Sequence, residues 1–303
     1  MLEVVRSLLF ITAHPLNRNQ KIKALSRFLA WQIKSRLRQG PFVISFVNNS
    51  KLLISRGMRG ATGNIYCGLH EFEDMAFLLH LLRPHDLFID VGANVGSYTV
   101  LAAAVKDVAC ISIEPIPATF KHLMENVLLN AVSDKVLAFN IGVGSQQGTL
   151  KFTSAFDTTN HVVSQEEKVT GGMIEVSTDT LNHLAGHLNP VLIKIDVEGF
   201  ESSVIEGADQ VLKKDSLLAL ILEKNDENDR YGYQENFAHD CLYDCGFEPY
   251  CYDPFKRILI PFNQNATISN NVLYLKKKNL ELIKDRILTA PPFFVKRIRK
   301  EGI

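Results

Sequence analysis

Three short segments of the 303-residue sequence gather side chains that could do chemistry. The first is Asp90-Val-Gly92-Ala93-Asn94-Val-Gly96, which ends an apolar, β-branched run. Its glycines let the backbone turn sharply and approach a ligand where a Cβ would obstruct. The segment lacks the lysine of a G-x-x-x-x-G-K-[ST] phosphate loop and does not follow G-x-G-x-x-G spacing. An aspartate at its head and no basic residue within it suit a ligand with a cationic end better than a polyphosphate. S-adenosylmethionine, with its sulfonium and ammonium groups, is such a ligand. The second segment ends in Glu114, placed to accept hydrogen bonds from ribose hydroxyls. A free ribose is common to NAD and S-adenosylmethionine, so Glu114 alone does not separate them.

The third segment is Lys194-Ile-Asp196-Val-Glu198-Gly199. Strand alternation would put Lys194, Asp196 and Glu198 on one side, and three charges at the end of a buried strand are costly unless paired or in contact with a ligand. A structural ion-pair network would satisfy them; so would a catalytic floor. Methyl transfer to oxygen is an in-line displacement that needs positioning and removal of the acceptor's proton, by a carboxylate or by a lysine of lowered pKa. Further on, Glu223-Lys224-Asn225-Asp226 could join Asp196 in an oxygen-rich site for magnesium, though loop acids are often simply solvated and no residue is assigned as a metal ligand. Ahead of the glycine loop, Tyr66-Cys-Gly68-Leu-His70-Glu71 precedes a helix and could close over the cofactor. His183 and His187 lack a neighbouring H-E-x-x-H glutamate and read as surface histidines.

The elements needed to position these segments are legible from about residue 86. Strands are expected at 87–91, 108–113, 136–141, 191–196, 217–222, 247–252 and 272–275. Helices are expected at 97–105, from Pro117, at 201–214 and at 237–245, the last ending at Gly246. Between 144 and 187 the runs 149–153 and 173–177 alternate apolar with polar, as an antiparallel insertion would. This order predicts an α/β fold: a mostly parallel, doubly wound sheet with helices on both faces and an inserted antiparallel β segment. In such a sheet ligands bind beyond the carboxyl ends of the strands, where the strand order reverses.

Composition narrows the choice of function. Lys+Arg and Asp+Glu both total 33, a balance that disfavours a nucleic-acid partner. Five cysteines at irregular spacing make no disulfide framework, and Cys241, Cys245 and Cys251 lack a fourth zinc ligand, so reduced thiols in a cytoplasmic protein are expected. The start has no secretory-signal pattern, and no run is long and apolar enough for a transmembrane segment. The basic stretches Lys276 to Lys278 and Lys296 to Lys300 read as a solvated tail, with weak peripheral contact to an anionic membrane as the alternative. Oligomeric state is not encoded in any of these features.

Asn64-Ile-Tyr-Cys-Gly-Leu-His-Glu71, the loop Asp90 to Gly96, Ser177-Thr-Asp179-Thr-Leu181 and Lys194 to Gly199, in that order, resemble the FkbM family of S-adenosylmethionine-dependent methyltransferases over roughly residues 60–250. The resemblance implies a class I Rossmann-like fold and O-methylation of a hydroxyl on a saccharide or natural-product acceptor. It assigns Asp90, Gly92, Asn94, Gly96 and Glu114 to the cofactor, with Ala93 and Glu71 beside them, and Lys194, Asp196 and Glu198 to the reaction centre. It divides the chain into an N-terminal helical/strand extension (1–60), the methyltransferase domain (61–276) and a basic tail (277–303). N-methylation is less expected, because N/D-P-P-[YF] is absent where Asp196 to Gly199 stands. An NAD-linked oxidoreductase is disfavoured by the loop spacing, and a non-catalytic cofactor-binding protein by the clustered charges.

Overall fold

Two helices, α1 (Leu2–Ala13) and α2 (Lys21–Leu37), and a hairpin of β1 (Phe42–Ser45) with β2 (Lys51–Ile54) open the computed structural model of the chain. It describes residues 2–38, 40–154, 160–164, 171–224, 228–263, 271–295, 298 and 302–303. Helices α3 (Arg59–Cys67) and α4 (Phe72–Leu81) lead into the main sheet. Its strands along the chain are β3 (Leu87–Val91), β4 (Ala109–Ile113) and β5 (Val136–Phe139). A small three-stranded sheet of β6 (Gly142–Val143), β7 (Gly148–Thr153) and β8 (Met173–Asp179) follows. The main sheet then resumes with β9 (Leu192–Ile195), β10 (Ala219–Glu223), β11 (Phe247–Asp253), β12 (Ile258–Pro261) and β13 (Asn271–Lys276).

The spatial order is β12-β11-β13-β10-β9-β3-β4-β5. β5, β4, β3, β9 and β10 run parallel, and β13 enters antiparallel beside β10. The order therefore reverses between β3 and β9, which sets the crevice at the ends of those two strands. Both faces of the sheet are buried, so the strands are apolar on both sides. Phe88, Leu192 and Ile221 join the core that includes Trp31 and Phe42 of the N-terminal segment. Their neighbours Ile89, Ile193 and Leu220 join the core on the opposite face.

The expected α/β fold and its antiparallel insertion are thus observed, with local differences. The helix from Ser97 is a single α turn, α5 (Ser97–Val100), continued by a π turn over Leu101–Val105. The expected helix 201–214 is two: α6 (Pro117–Leu129) and α7 (Leu181–Ala185) precede it, and α8 (Glu201–Glu206) stops at Gly207 before α9 (Asp209–Leu212) begins. At Gly207 the chain presses on the backbone of Gly144, leaving no room for a Cβ. After α10 (Phe237–Asp244), β12 adds an edge strand that the sequence pattern does not announce.

From Lys276 to Val295 the C-terminal stretch is packed against the domain and is not a solvated tail. Lys276 is buried in β13, where it donates from Nζ to the Leu212 carbonyl at 2.8 Å. Lys277 pairs with Glu248 and Lys278 with Asp215. Helix α11 (Leu280–Thr289) buries Ile283 and Ile287, and Phe293 and Val295 reach the same core. All three lysines have partners in the structure, and of the second basic stretch, 296–300, only Ile298 is among the described residues.

Candidate active site

Register converts the three sequence segments into one site. Asp90 on β3 lies opposite Lys194 on β9, and Lys194 lies opposite Ile221 on β10. The period of two then sets Asp90, Lys194 and Glu223 on the same face of the sheet, at its carboxyl end. An open cleft of about 1110 Å³ lies over this edge, lined by Gly92, Asn94, Glu114, Lys194, Asp196, Glu198 and Glu223 among others.

The glycine loop is built for close approach. Gly92 has φ +75°, and a Cβ there would overlap the carbonyl oxygen of Asp196, so β3 and β9 can come together only through glycine. The amides of Gly92 and Ala93 both donate to the Ile113 carbonyl at 2.9 Å, which pins the turn to β4. Gly96, at φ +85°, lies against Leu123 of α6. Asp90 is buried; Thr99 Oγ1 donates to its Oδ2 at 2.7 Å, while Oδ1 has no hydrogen-bond partner. Burial raises its pKa, with Lys194 and Thr99 opposing. Glu114 accepts from the Asn94 amide (3.0 Å) and the Ile116 amide (2.9 Å), one on each oxygen. A carboxylate has about four acceptor sites, so capacity remains for hydroxyl donors in the cleft. Burial pushes Glu114 up to about 7, against the pull of those two amides.

Across the crevice the charges are less evenly matched. Lys194 Nζ is 2.6 Å from Asp196 Oδ2 and lies over the Tyr98 ring. Burial lowers its pKa, but Asp196, Glu71 and Asp90 together outweigh burial and hold the ammonium above its ordinary value. The expected option of a lowered-pKa lysine base is therefore corrected: carboxylates from three separate segments keep Lys194 charged. Alternation also ends with β9. Glu198 sits in a turn at φ +54°, and that turn, not the strand, returns its carboxylate toward Asp196. Oxygens of Asp196, Glu198 and Glu223 lie within 4.8 Å of one another. Burial, then Asp196, Glu198 and Glu201, push Glu223 up to about 10. Three acids could hold a cation or share protons; of the partners expected for magnesium, Asn225 and Asp226 lie outside the described residues.

Glu71 also reaches the site, accepting from Tyr98 Oη at 2.6 Å. Tyr98, Thr99 and Glu201 escaped the sequence reading. Thr99 and Tyr98 carry a signal in retrospect, since they open the helix directly after the loop. Glu201 receives the amides of Val197 and Gly199 and so fixes the turn that carries Glu198. The Ser177 to Leu181 segment does not line the cleft. Asp179 there bonds His183 Nδ1 at 2.7 Å, and Thr180 caps α7 by accepting from the His183 amide. His183 is thus a surface residue, and the five cysteines are free thiols. The outer cleft is walled by the N-terminal helices, with Phe10, Trp31, Gln32 and Arg36.

A sheet whose order reverses beside a glycine loop, with one antiparallel strand next to β10 and carboxylates at the strand ends, defines the Rossmann-like class I methyltransferase fold. Residues 90–249, more than half of the chain, match the methyltransferase FkbM domain, and the chain belongs to that family. It is similar to the hexuronic acid methyltransferase AglP of Haloferax volcanii, with 29% identity covering 47% of this chain and 58% of that protein. It is also similar to methyltransferase 1 of Beauveria bassiana, with 31% identity covering 42% of this chain and 60% of that protein. The chain spans about three fifths of the length of these curated relatives. Among solved structures, P. horikoshii TYW2 in complex with MeSAdo aligns at 18% identity and a TM-score of 0.41, covering 79% of this chain and 73% of that one.

Proposed function

We infer that the chain transfers a methyl group from S-adenosylmethionine to a hydroxyl of a saccharide or natural-product acceptor. The observation that carries this reading is Asp90: a buried carboxylate with one unpartnered oxygen, at the head of a glycine turn that admits no Cβ. A cationic cofactor fits such a cradle, and Glu114 still has acceptor capacity for its ribose. When bound, the cofactor supplies an electrophilic methyl on sulfur. The chain's own residues do the rest. Lys194, held charged, orients Asp196; Asp196 and Glu198 face the cleft and can take the proton leaving the acceptor hydroxyl. Glu223, with its raised pKa, retains its own proton and accepts no other. Arg6, Arg36 and Arg56 also line the cleft, and they suit an acceptor bearing a carboxylate, in keeping with the hexuronic acid named for the Haloferax relative.

Calorimetric titration with S-adenosylmethionine, with NAD in parallel, tests the cofactor. Binding of the former alone supports the reading, and binding of NAD alone overturns it. Asp196→Asn and Glu198→Gln should then lower turnover on an accepted saccharide with cofactor affinity retained; full activity in both removes the proposed proton acceptors.

A further inference from the structure

Residues 1–60 carry eleven basic side chains and a single acid, Glu3, although the chain as a whole is neutral. The charge is therefore segregated: the remainder holds a compensating excess of ten acids. Helix α2, which has six of the basic residues within or just after it if Arg38 is included, is apolar on two faces. Ala24, Phe28 and Trp31 are buried on one. Opposite them Ile22, Leu29, Ile33 and Leu37 fall on one stripe, spaced seven, four and four residues apart. They are 84%, 59%, 59% and 84% exposed. Lys21, Lys23, Lys34 and Arg36 flank the stripe and are exposed. On α1, Val5 and Leu9 are exposed four residues apart, beside Arg6. Single exposed leucines are ordinary, but four exposed apolar side chains on one stripe, interrupted only by Ser26 and flanked by cations, are the pattern of a helix lying in a membrane interface. None of the described helices is long and apolar enough to cross a membrane.

We propose that α1 and α2 form a docking surface for an anionic lipid bilayer. The stripe enters the boundary between headgroups and acyl chains, and the flanking lysines and arginines meet the lipid phosphates. Charge complementarity selects this occupant: a cationic surface on an otherwise acidic molecule favours an anionic sheet of lipid over a second copy of the same cationic helices. The same helices wall the cleft through Phe10, Trp31 and Gln32, so docking would hold its mouth beside the bilayer. The proposal does not rest on the reaction in the cleft, although Arg6 and Arg36 border both the cleft and the stripe.

Sedimentation of the full chain with phosphatidylcholine–phosphatidylserine vesicles, and with phosphatidylcholine vesicles alone, tests it. The protein should pellet with the anionic vesicles, pellet poorly with the neutral ones, and be released as salt screens the charges. Leu29→Asp combined with Ile33→Asp should weaken pelleting on the order of tenfold or more, with an unchanged thermal melt because both side chains are exposed. A wild-type chain that stays in the supernatant at low salt overturns the proposal, as does a variant that pellets like the wild type. A wild-type dimer that the variant converts to monomer, without pelleting in either, shows a self-association face instead and also overturns it. If the variant does not fold, the lipid-charge and salt dependence of the wild type decide the matter.

Discussion

Glu114 and Glu223 stand at the ends of neighbouring regions of one sheet, and their settings differ in kind. Glu114, on the β3–β4 side, is met by two backbone amides that are fixed by the turn itself. Glu223, on the β9–β10 side, has a buried Oε2 without a hydrogen-bond partner and faces Asp196, Glu198 and Glu201. Burial raises both, to about 7 and about 10. The difference between them reflects what surrounds each carboxylate: oriented amide dipoles in one case, like charges in the other. At Glu114 the backbone itself holds the carboxylate before any ligand arrives. The β9–β10 wall remains short of positive charge, with Lys194 as its main cation.

The strongest way to break this contrast is to remove that cation. Lys194→Met should cost about 3–5 kcal/mol, the usual result of leaving buried charges without their partner. Chemical denaturation would measure it; a loss below about 1 kcal/mol would mean that the β9–β10 wall is less charged than its geometry indicates. Gly92→Ala tests where the walls meet. Overlap with the Asp196 carbonyl and a left-handed backbone should together cost about 3 kcal/mol and abolish cofactor binding. A normal melt with normal titration would show that the two strands can separate freely.

Asp90→Ala and Glu114→Ala sharpen the β3–β4 side. Each should weaken S-adenosylmethionine binding by about 1–3 kcal/mol, read by calorimetry, and retained affinity in both would remove that wall from the cofactor site. The smallest effect belongs to Glu223→Gln. A folded pKa of about 10 stands above the roughly 4.3 of an unfolded glutamate. Between those values the unfolded chain has released a proton that the folded chain keeps, so this group's contribution to stability falls as pH rises. Glutamine lacks that penalty. Because Asp196 and Glu198 face the same carboxyl, the expected outcome is a sign: the variant should gain on the wild type as pH rises through this window. Thermal melts at about pH 5 and about pH 8 check that sign, and an advantage confined to low pH would reverse the assignment.

The Asp90 to Gly96 loop, Glu114 and the Lys194 to Gly199 segment were legible in the sequence because strand ends and glycine turns are local features. So were β3, β4, β9 and the alternating insertion, where periods of two and of 3.6 are written in consecutive side chains. The protonation of Lys194 was not legible, since beside its near neighbour Asp196 it depends on Glu71 and Asp90 arriving from distant parts of the chain. Nor was the break at Gly207, which exists because Gly144 lies against it, or the burial of Lys276 in what reads as a basic tail.

By itself, then, the sequence determined which backbone turns could accept a ligand and which residue types would stand there, because those depend on φ, on side-chain chemistry and on short-range periodicity. Tertiary structure alone decided which acids became neighbours, which lysine kept its proton and which apolar stripe was left facing solvent. Electrostatic interaction and burial depend on distances in space, and the order of residues along a chain does not fix those distances.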